Sequence, residues 1–255
     1  GSATQFGEDQ WFATLSRAIK IDDVIAKHAA VMDVTDPQKR IGMIVDEWGT
    51  WYDVEPGTNP GFLYQQNTMR DALVAALNFN IFVKHADRVK LANIAQMINV
   101  LQAMILTKQD KMVLTPTYHA FEMYKVFQDG TAVPIELRTP WYNKEASTVP
   151  AVSASAVRDK DGRLHIALVN VDPNQMVSVA AKLSGVSIAS AKGRVLTGPA
   201  VNSHNTFEQP DAVKPVSFTG ATVEGGGLKV ALPARSVVML NGWARSVGAG
   251  RSYRK

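Results

Sequence analysis

The sequence predicts an α/β half followed by an all-β half. Two observations carry this: helix and strand patterns alternate over the first 130 residues, and short β-rich runs separated by marked turns follow Gly130. A third separates the halves further. The early strands are continuous apolar runs, which suit strands buried on both faces as in a parallel sheet.

From Trp11 to Met32 the apolar positions Trp11, Leu15, Ala18, Ile19, Ile25 and Ala29 fall near a 3.6-residue period, predicting a helix that ends at Asp36-Pro37. Ile41-Gly42-Met43-Ile44-Val45 is a short buried strand leading into Asp46-Glu47. The stretch from Asp53 to Gly61, rich in Pro, Gly and Asn, is a loop. A second helix is expected over Phe62 to Lys84, with an apolar face of Leu63, Ala72, Leu73, Ala76, Leu77 and Phe82. Another buried strand covers Arg88 to Gln96. Thr115-Pro116 opens a third helix, Tyr118 to Phe127, with proline where no amide donor is needed. This rhythm indicates parallel strands with crossover helices.

In the second half, strands are expected over Val149–Val157, Leu164–Val171, Val177–Leu183, Ser190–Thr197, Val216–Phe218, Leu228–Leu232 and Ser236–Leu240. Lys160-Asp161-Gly162 and Gly225-Gly226-Gly227 mark turns between them. Leu164, Ile166 and Leu168 alternate with His165, Ala167 and Val169, so this central strand is apolar on both sides. Strands at such spacing suggest a jelly-roll β-sandwich. The boundary is set at about residue 130 to 140, with a strand over Val133 to Leu137 assigned to the second domain, which would span 131–245.

Cysteine is absent, which excludes disulfides and thiolate metal sites. The net charge of +4 is modest and partly concentrated in Arg245, Arg251, Arg254 and Lys255. Residues 246–255 are read as a disordered basic tail. With no other basic stripe interleaved with aromatics, nucleic-acid binding is not expected. No apolar run approaches the roughly 18 residues of a membrane span. The compartment stays open, the cytoplasm being favoured.

Glu47 follows an apolar strand and precedes a loop bearing Trp48, Trp51 and Tyr52. In an α/β barrel, catalytic groups stand at the C-terminal ends of strands. By strand alternation Glu47 shares a face with Val45 and Met43, while Asp46 points the other way. Aromatics beside a carboxylate suit a sugar site, their flat faces stacking on the ring. On the residues alone, a strand cap with its tryptophans in the core explains the pattern equally well.

Four segments change that balance. Ile44-Val45-Asp46-Glu47-Trp48-Gly49-Thr50-Trp51-Tyr52 resembles the nucleophile motif of glycoside hydrolase family 51, the α-L-arabinofuranosidases. Asn67-Thr68-Met69-Arg70-Asp71-Ala72-Leu73, Ala92-Asn93-Ile94-Ala95-Gln96-Met97-Ile98-Asn99 and Leu114-Thr115-Pro116-Thr117-Tyr118-His119 resemble it further, in the right order. The resemblance implies a (β/α)8 TIM barrel followed by a β-sandwich, with residues 1–130 supplying the last two strands. It implies Glu47 as the nucleophile of a retaining reaction that needs no cofactor. Gln96 and Trp51 are implied to bind an arabinofuranosyl saccharide. Homo-oligomers are frequent in the family and are expected here.

The departure lies in the partner carboxyl. Retaining hydrolysis needs two carboxyl groups about 5 Å apart. The family carries its acid/base glutamate in Gly-Asn-Glu, which does not occur in this chain. A full barrel takes about 250 residues, so about six strands are missing with it. Glu8, Asp53, Glu55 and Asp110 end no predicted strand and are expected to be solvated carboxylates. An N-terminal polypeptide completing the barrel is therefore the expected partner. The alternative is a non-catalytic carbohydrate-binding or structural module, which requires a first half with its own closed sheet. An unrelated α/β hydrolase would need Gly-x-Ser-x-Gly, which is absent. The histidines show no metal spacing, and Asn170, Asp172 and Asn174 read as a turn around Pro173.

Overall fold

The structure, a computed structural model, describes residues 1–185 and 187–245; the tail expected at 246–255 lies outside the described residues. Where one helix is predicted, two form: α1 (Glu8–Ala18) and α2 (Ile21–Thr35). The break lies at Ile19 and Lys20, which keep helical dihedrals while the Lys20 N–H turns to the Arg17 carbonyl at 3.1 Å. No proline or glycine marks the joint. Burial supplies the reason: Trp11, Phe12 and Leu15 anchor α1 in the core, whereas Ile25 alone is buried on α2.

Strand β1 (Met43–Trp48) pairs in parallel with β2 (Val89–Ile94), joined through helix α3 (Met69–Lys84). Arg88, 1% exposed, ties this unit to α2: it donates to the Asp36 carboxylate at 2.8 Å and to the Ile41 carbonyl at 2.9 Å, and pairs with Asp33. The Ile41 N–H, and then Arg88, hold the Asp36 carboxyl below the usual range against the opposing pull of burial. α3 starts seven residues later than the apolar pattern predicts. A capping box decides the start: Thr68 accepts from the Arg70 N–H while Asp71 reaches back to the Thr68 N–H. Every residue of α3 from Met69 to Asn78 is buried, as expected for a helix enclosed on all sides.

A hairpin of β3 (Ile105–Lys108) and β4 (Lys111–Leu114) follows, which periodicity did not reveal. Helix α4 (Pro116–Tyr124) is capped by Thr115. β5 (Thr131–Val133) ends at Pro134, which has no N–H to continue the ladder, so the strand expected over Val133–Leu137 stops where it was expected to begin. β6 (Trp141–Lys144) and β7 (Ser147–Pro150) form a hairpin, and Ala151 separates it from β8 (Val152–Arg158). The remaining strands are β9 (Leu164–Asn170), β10 (Val177–Lys182), β11 (Ser187–Leu196), β12 (Val216–Phe218), β13 (Ala221–Glu224), β14 (Gly227–Leu232) and β15 (Ser236–Arg245).

These build an antiparallel six-stranded sheet, ordered β12-β11-β15-β9-β8-β5, and a three-stranded sheet, β10-β14-β13. Between them lie Val152, Leu168, Val195, Leu228, Val230, Leu232, Val238 and Leu240, the interior of a β-sandwich. The alternate residues Ala167, Val169, Leu196, Val237 and Met239 point the other way, into one apolar core with α1, α3 and α4. That second covering explains why β9 is apolar on both sides. Trp11 fastens the layers together, its indole N–H donating to the Val171 carbonyl at 2.9 Å.

Candidate active site

The C-terminal ends of β1 and β2 lie side by side. Met43 pairs with Val89, Ile44 with Leu91, Val45 with Ala92, and Trp48 with Ile94. Three steps on β1 from Val45 to Trp48 match two on β2, so one extra residue is accommodated at Asp46-Glu47. This overturns the alternation expected for Glu47. Met43 and Val45 pack on the helical core, as does the buried Trp48. The bulge releases Glu47 from their face and leaves its carboxylate exposed, as is that of Asp46. Trp48 inserts among Phe79, Phe82 and Phe121, with ring centroids 5.6 to 6.0 Å away. Of the two tryptophans that follow Glu47, Trp48 is core and Trp51, in the loop, is 68% exposed.

Glu47 and Trp51 both line a cleft of about 370 Å³ between the loop and the α1–α2 joint, with Thr14, Arg17, Val74 and Asn78 on its other walls. Gln96 is not part of that lining, but it stands exposed at the same end of the neighbouring strand, just after Ala95, whose N–H donates to the Trp48 carbonyl at 2.8 Å. A larger cavity, about 1070 Å³, lies between α1, α3 and β8 and holds none of the three residues.

The loop after Glu47 is tightly held. The Gln65 amide grips Tyr52 at both backbone groups, accepting from its N–H at 2.9 Å and donating to its carbonyl at 3.0 Å. The Arg70 guanidinium, buried, is sandwiched between the rings of Phe6 and Tyr52 at 3.6 and 3.8 Å. Burial pushes the Tyr52 phenol far up, so it stays protonated. Asp71 is fully buried, and burial raises its carboxyl against the opposing influence of Arg70 and of hydrogen bonds from Thr68 and Thr50. Gln102, another buried amide, joins the same network through Thr50 and the Asp71 carbonyl. The sequence reading did not single out Gln65, Arg70 or Gln102; burial of a long polar side chain was the signal, and it is visible only in three dimensions.

Glu8, Asp53, Glu55 and Asp110 do not join Glu47 at a strand end. Asp110 sits exposed in the β3–β4 turn and Asp53 is exposed in the loop. Asp53 also accepts from the Gly1 ammonium at 3.4 Å, and the remaining two are more than solvated groups. Glu8 accepts from the Tyr142 phenol at 2.9 Å and from Asn174 at 3.1 Å, and Glu55 accepts from the Gln66 N–H at 3.1 Å. Asn170, Asp172 and Asn174 make a turn, with Asp172 accepting from the N–H groups of Asn174 and Gln175 at 2.8 Å.

Residues 46–236 match the family model for the α-L-arabinofuranosidase C-terminal domain. The chain belongs to this family. It is 48% identical over 241 residues to the intracellular exo-α-L-arabinofuranosidase of Bacteroides ovatus, matching 94% of this chain and 47% of that protein. Among solved structures it is similar to the family 51 arabinofuranosidase of Xanthomonas axonopodis pv. citri, with a TM-score of 0.94 and 55% identity over 95% of this chain and 49% of the other. An α-L-arabinofuranosidase from Thermotoga maritima, solved with arabinose, aligns at a TM-score of 0.79 and 25% identity over 92% of this chain and 50% of that one. The resemblance to family 51 is thereby established, and with it the mixed α/β and β-sandwich class. The chain spans about half the length of these relatives. Among the described residues no helix is long and apolar enough to cross a membrane.

Proposed function

We propose that this chain is the nucleophile-bearing half of a retaining exo-α-L-arabinofuranosidase. Residues 1–130 would supply the last two strands of the catalytic barrel and residues 131–245 its β-sandwich. The observation that carries the reading is the bulged end of β1, which presents Glu47 on open surface beside the segment just after β2 that carries Gln96. Glu47 attacks the anomeric carbon of a terminal α-L-arabinofuranosyl unit while a glutamate supplied from outside this chain protonates the leaving oxygen. Water, deprotonated by that second glutamate, then releases the sugar from Glu47 with net retention. Trp51 offers a flat apolar face to the ring, and Gln96 offers both donor and acceptor to its hydroxyls. The name of the Bacteroides relative favours an intracellular enzyme acting from chain ends.

The partner in this reading is an upstream polypeptide segment. Ile44 and Leu91, paired across β1 and β2, are 57% and 49% exposed, whereas strands of a parallel sheet are ordinarily covered on both faces. The sheet they belong to has two strands and does not close. A self-sufficient non-catalytic module would require the opposite.

The test is Glu47→Gln in the complete enzyme, assayed for arabinose release from an aryl α-L-arabinofuranoside. Turnover is expected to fall by several orders of magnitude, as for loss of other catalytic nucleophiles. Near-normal activity in that variant sinks the assignment. The 255-residue chain alone is expected to be inactive, and activity from it would remove the need for an upstream glutamate.

A further inference from the structure

Gln102 is 1% exposed, belongs to no helix or strand, and uses both ends of its side chain. Its Oε1 accepts from the Thr50 backbone N–H at 3.0 Å and from the Thr50 hydroxyl at 3.3 Å. Its Nε2 donates to the Asp71 backbone carbonyl, in the first turn of α3, at 2.7 Å. Its own N–H donates to the Ala95 carbonyl at 3.1 Å. One residue therefore links three segments. The first carries Glu47 and Trp51, which flank Thr50; the second carries Gln96, next to Ala95; the third is the buried end of α3.

The fit around it is close. Gly49 has φ of +147°, and a Cβ there would stand 3.2 Å from the Ala95 carbonyl oxygen and 3.4 Å from Gln102 Oε1. The Thr50 hydroxyl also reaches the Asp71 carboxylate at 3.0 Å, so the loop is held to α3 twice, directly and through Gln102.

We propose that Gln102 is a positioning residue for this site, holding Glu47 and Gln96 in the mutual placement that nucleophilic attack requires. The proposal rests on the reading of Glu47 as nucleophile. An amide suits the task because it accepts from one loop while donating to the helix. A carboxylate could not donate, and an apolar side chain of the same length would leave the Thr50 N–H and the Asp71 carbonyl without this partner. A nucleophile displaced by about 1 Å loses on the order of a hundredfold in rate.

The experiment is Gln102→Met in the complete enzyme, with kcat and KM measured well below the melting temperature and expressed per folded molecule from near-ultraviolet circular dichroism. The expected result is a kcat about 10- to 100-fold lower with a smaller rise in KM from the displacement of Gln96, since the attack step suffers most. A purely structural role would lower the melting temperature and leave kcat per folded molecule within about threefold of the parent, and that result overturns the proposal. If Gln102→Met does not fold, Gln102→Asn decides on the same readout, since it keeps the amide but is one methylene too short to span from Thr50 to Asp71. A kcat per folded molecule about 10-fold or more below the parent supports the role, and a kcat within about threefold refutes it. Glu47→Gln is run beside them: activity surviving there removes the underlying reading of the site, whatever Gln102 does.

Discussion

His119 shows what a single buried group contributes. It lies on α4 with its ring edge-on to Tyr118, at a centroid distance of 5.6 Å, and its Nε2 is shut away from solvent. Burial, only partly opposed by the Glu122 charge, pushes its pKa below 6.5. The unfolded chain then binds a proton near pH 6.5 that the folded chain does not bind until lower pH, so stability is lost as the pH falls below 6.5. His119→Gln should flatten this part of the profile: between about pH 7.5 and 5 the urea midpoint of the parent should fall further than that of the variant. Parallel profiles would mean that His119 titrates alike in both states. Asp22, Asp36 and Asp159 titrate below this window, their pKa values lying below 3.8. At this scale the site was only partly legible. Glu47 and Trp51 stand in a local motif, so neighbours in sequence announce them. The face Glu47 occupies was hidden, because a bulge on β1 breaks the alternation from which a face is read. Gln102 was hidden for a different reason: its partner Thr50 is 52 positions away, and no periodicity couples them.

Among elements, α1 is the one whose role departs most from its place in the chain. It precedes both strands of the parallel pair β1–β2 yet is bonded to the far half of the molecule. Trp11 is fully buried and donates to Val171 just after β9, Phe12 meets Tyr142 edge-on at 5.2 Å, and Glu8 accepts from Tyr142 and Asn174. Trp11→Ala should therefore lower stability by about 3–5 kcal/mol, and Trp11→Phe, which keeps most of the volume and loses the hydrogen bond, by about 1–3 kcal/mol. Both are read from urea midpoints. A loss below about 1 kcal/mol for the alanine variant would mean that α1 is not integral to the core. Elements with a clean period or a chemical boundary were legible in advance: β9, β14 and the start of α4 at Thr115-Pro116 are examples. Missed elements lacked both. The joint between α1 and α2 has no breaker residue, and the β3–β4 hairpin turns at Gln109 and Asp110, with Gln109 at φ +55° where glycine or asparagine would have been the signal. The early start expected for α3 came from weighing apolar period above Thr68-x-x-Asp71, whose capping bonds decide the boundary.

For the whole molecule, the decisive feature is a sheet covered on one face only. The covered face of β1 and β2, with Met43, Val45, Ala92 and Ile94, packs on the helical core. The open face carries Ile44 and Leu91 opposite one another. If an upstream segment completes the barrel, these two side chains are half-exposed in the 255-residue chain and fully buried in the complete enzyme. Their substitution should then cost different amounts in the two settings. Ile44→Ala with Leu91→Ala removes side chains whose full burial stabilises by roughly 1.5–3 kcal/mol each, and about half of that is available where half the surface already meets water. In the complete enzyme each truncation should cost about 2–5 kcal/mol, because a cavity forms among the surrounding strands. Urea midpoints of the double variant, measured in both settings, give the comparison. A markedly larger loss in the complete enzyme identifies the open face as the seat of the proposed upstream strands. Equal losses would mean that water covers this face in both, and the proposed upstream segment would have to approach Glu47 from another side.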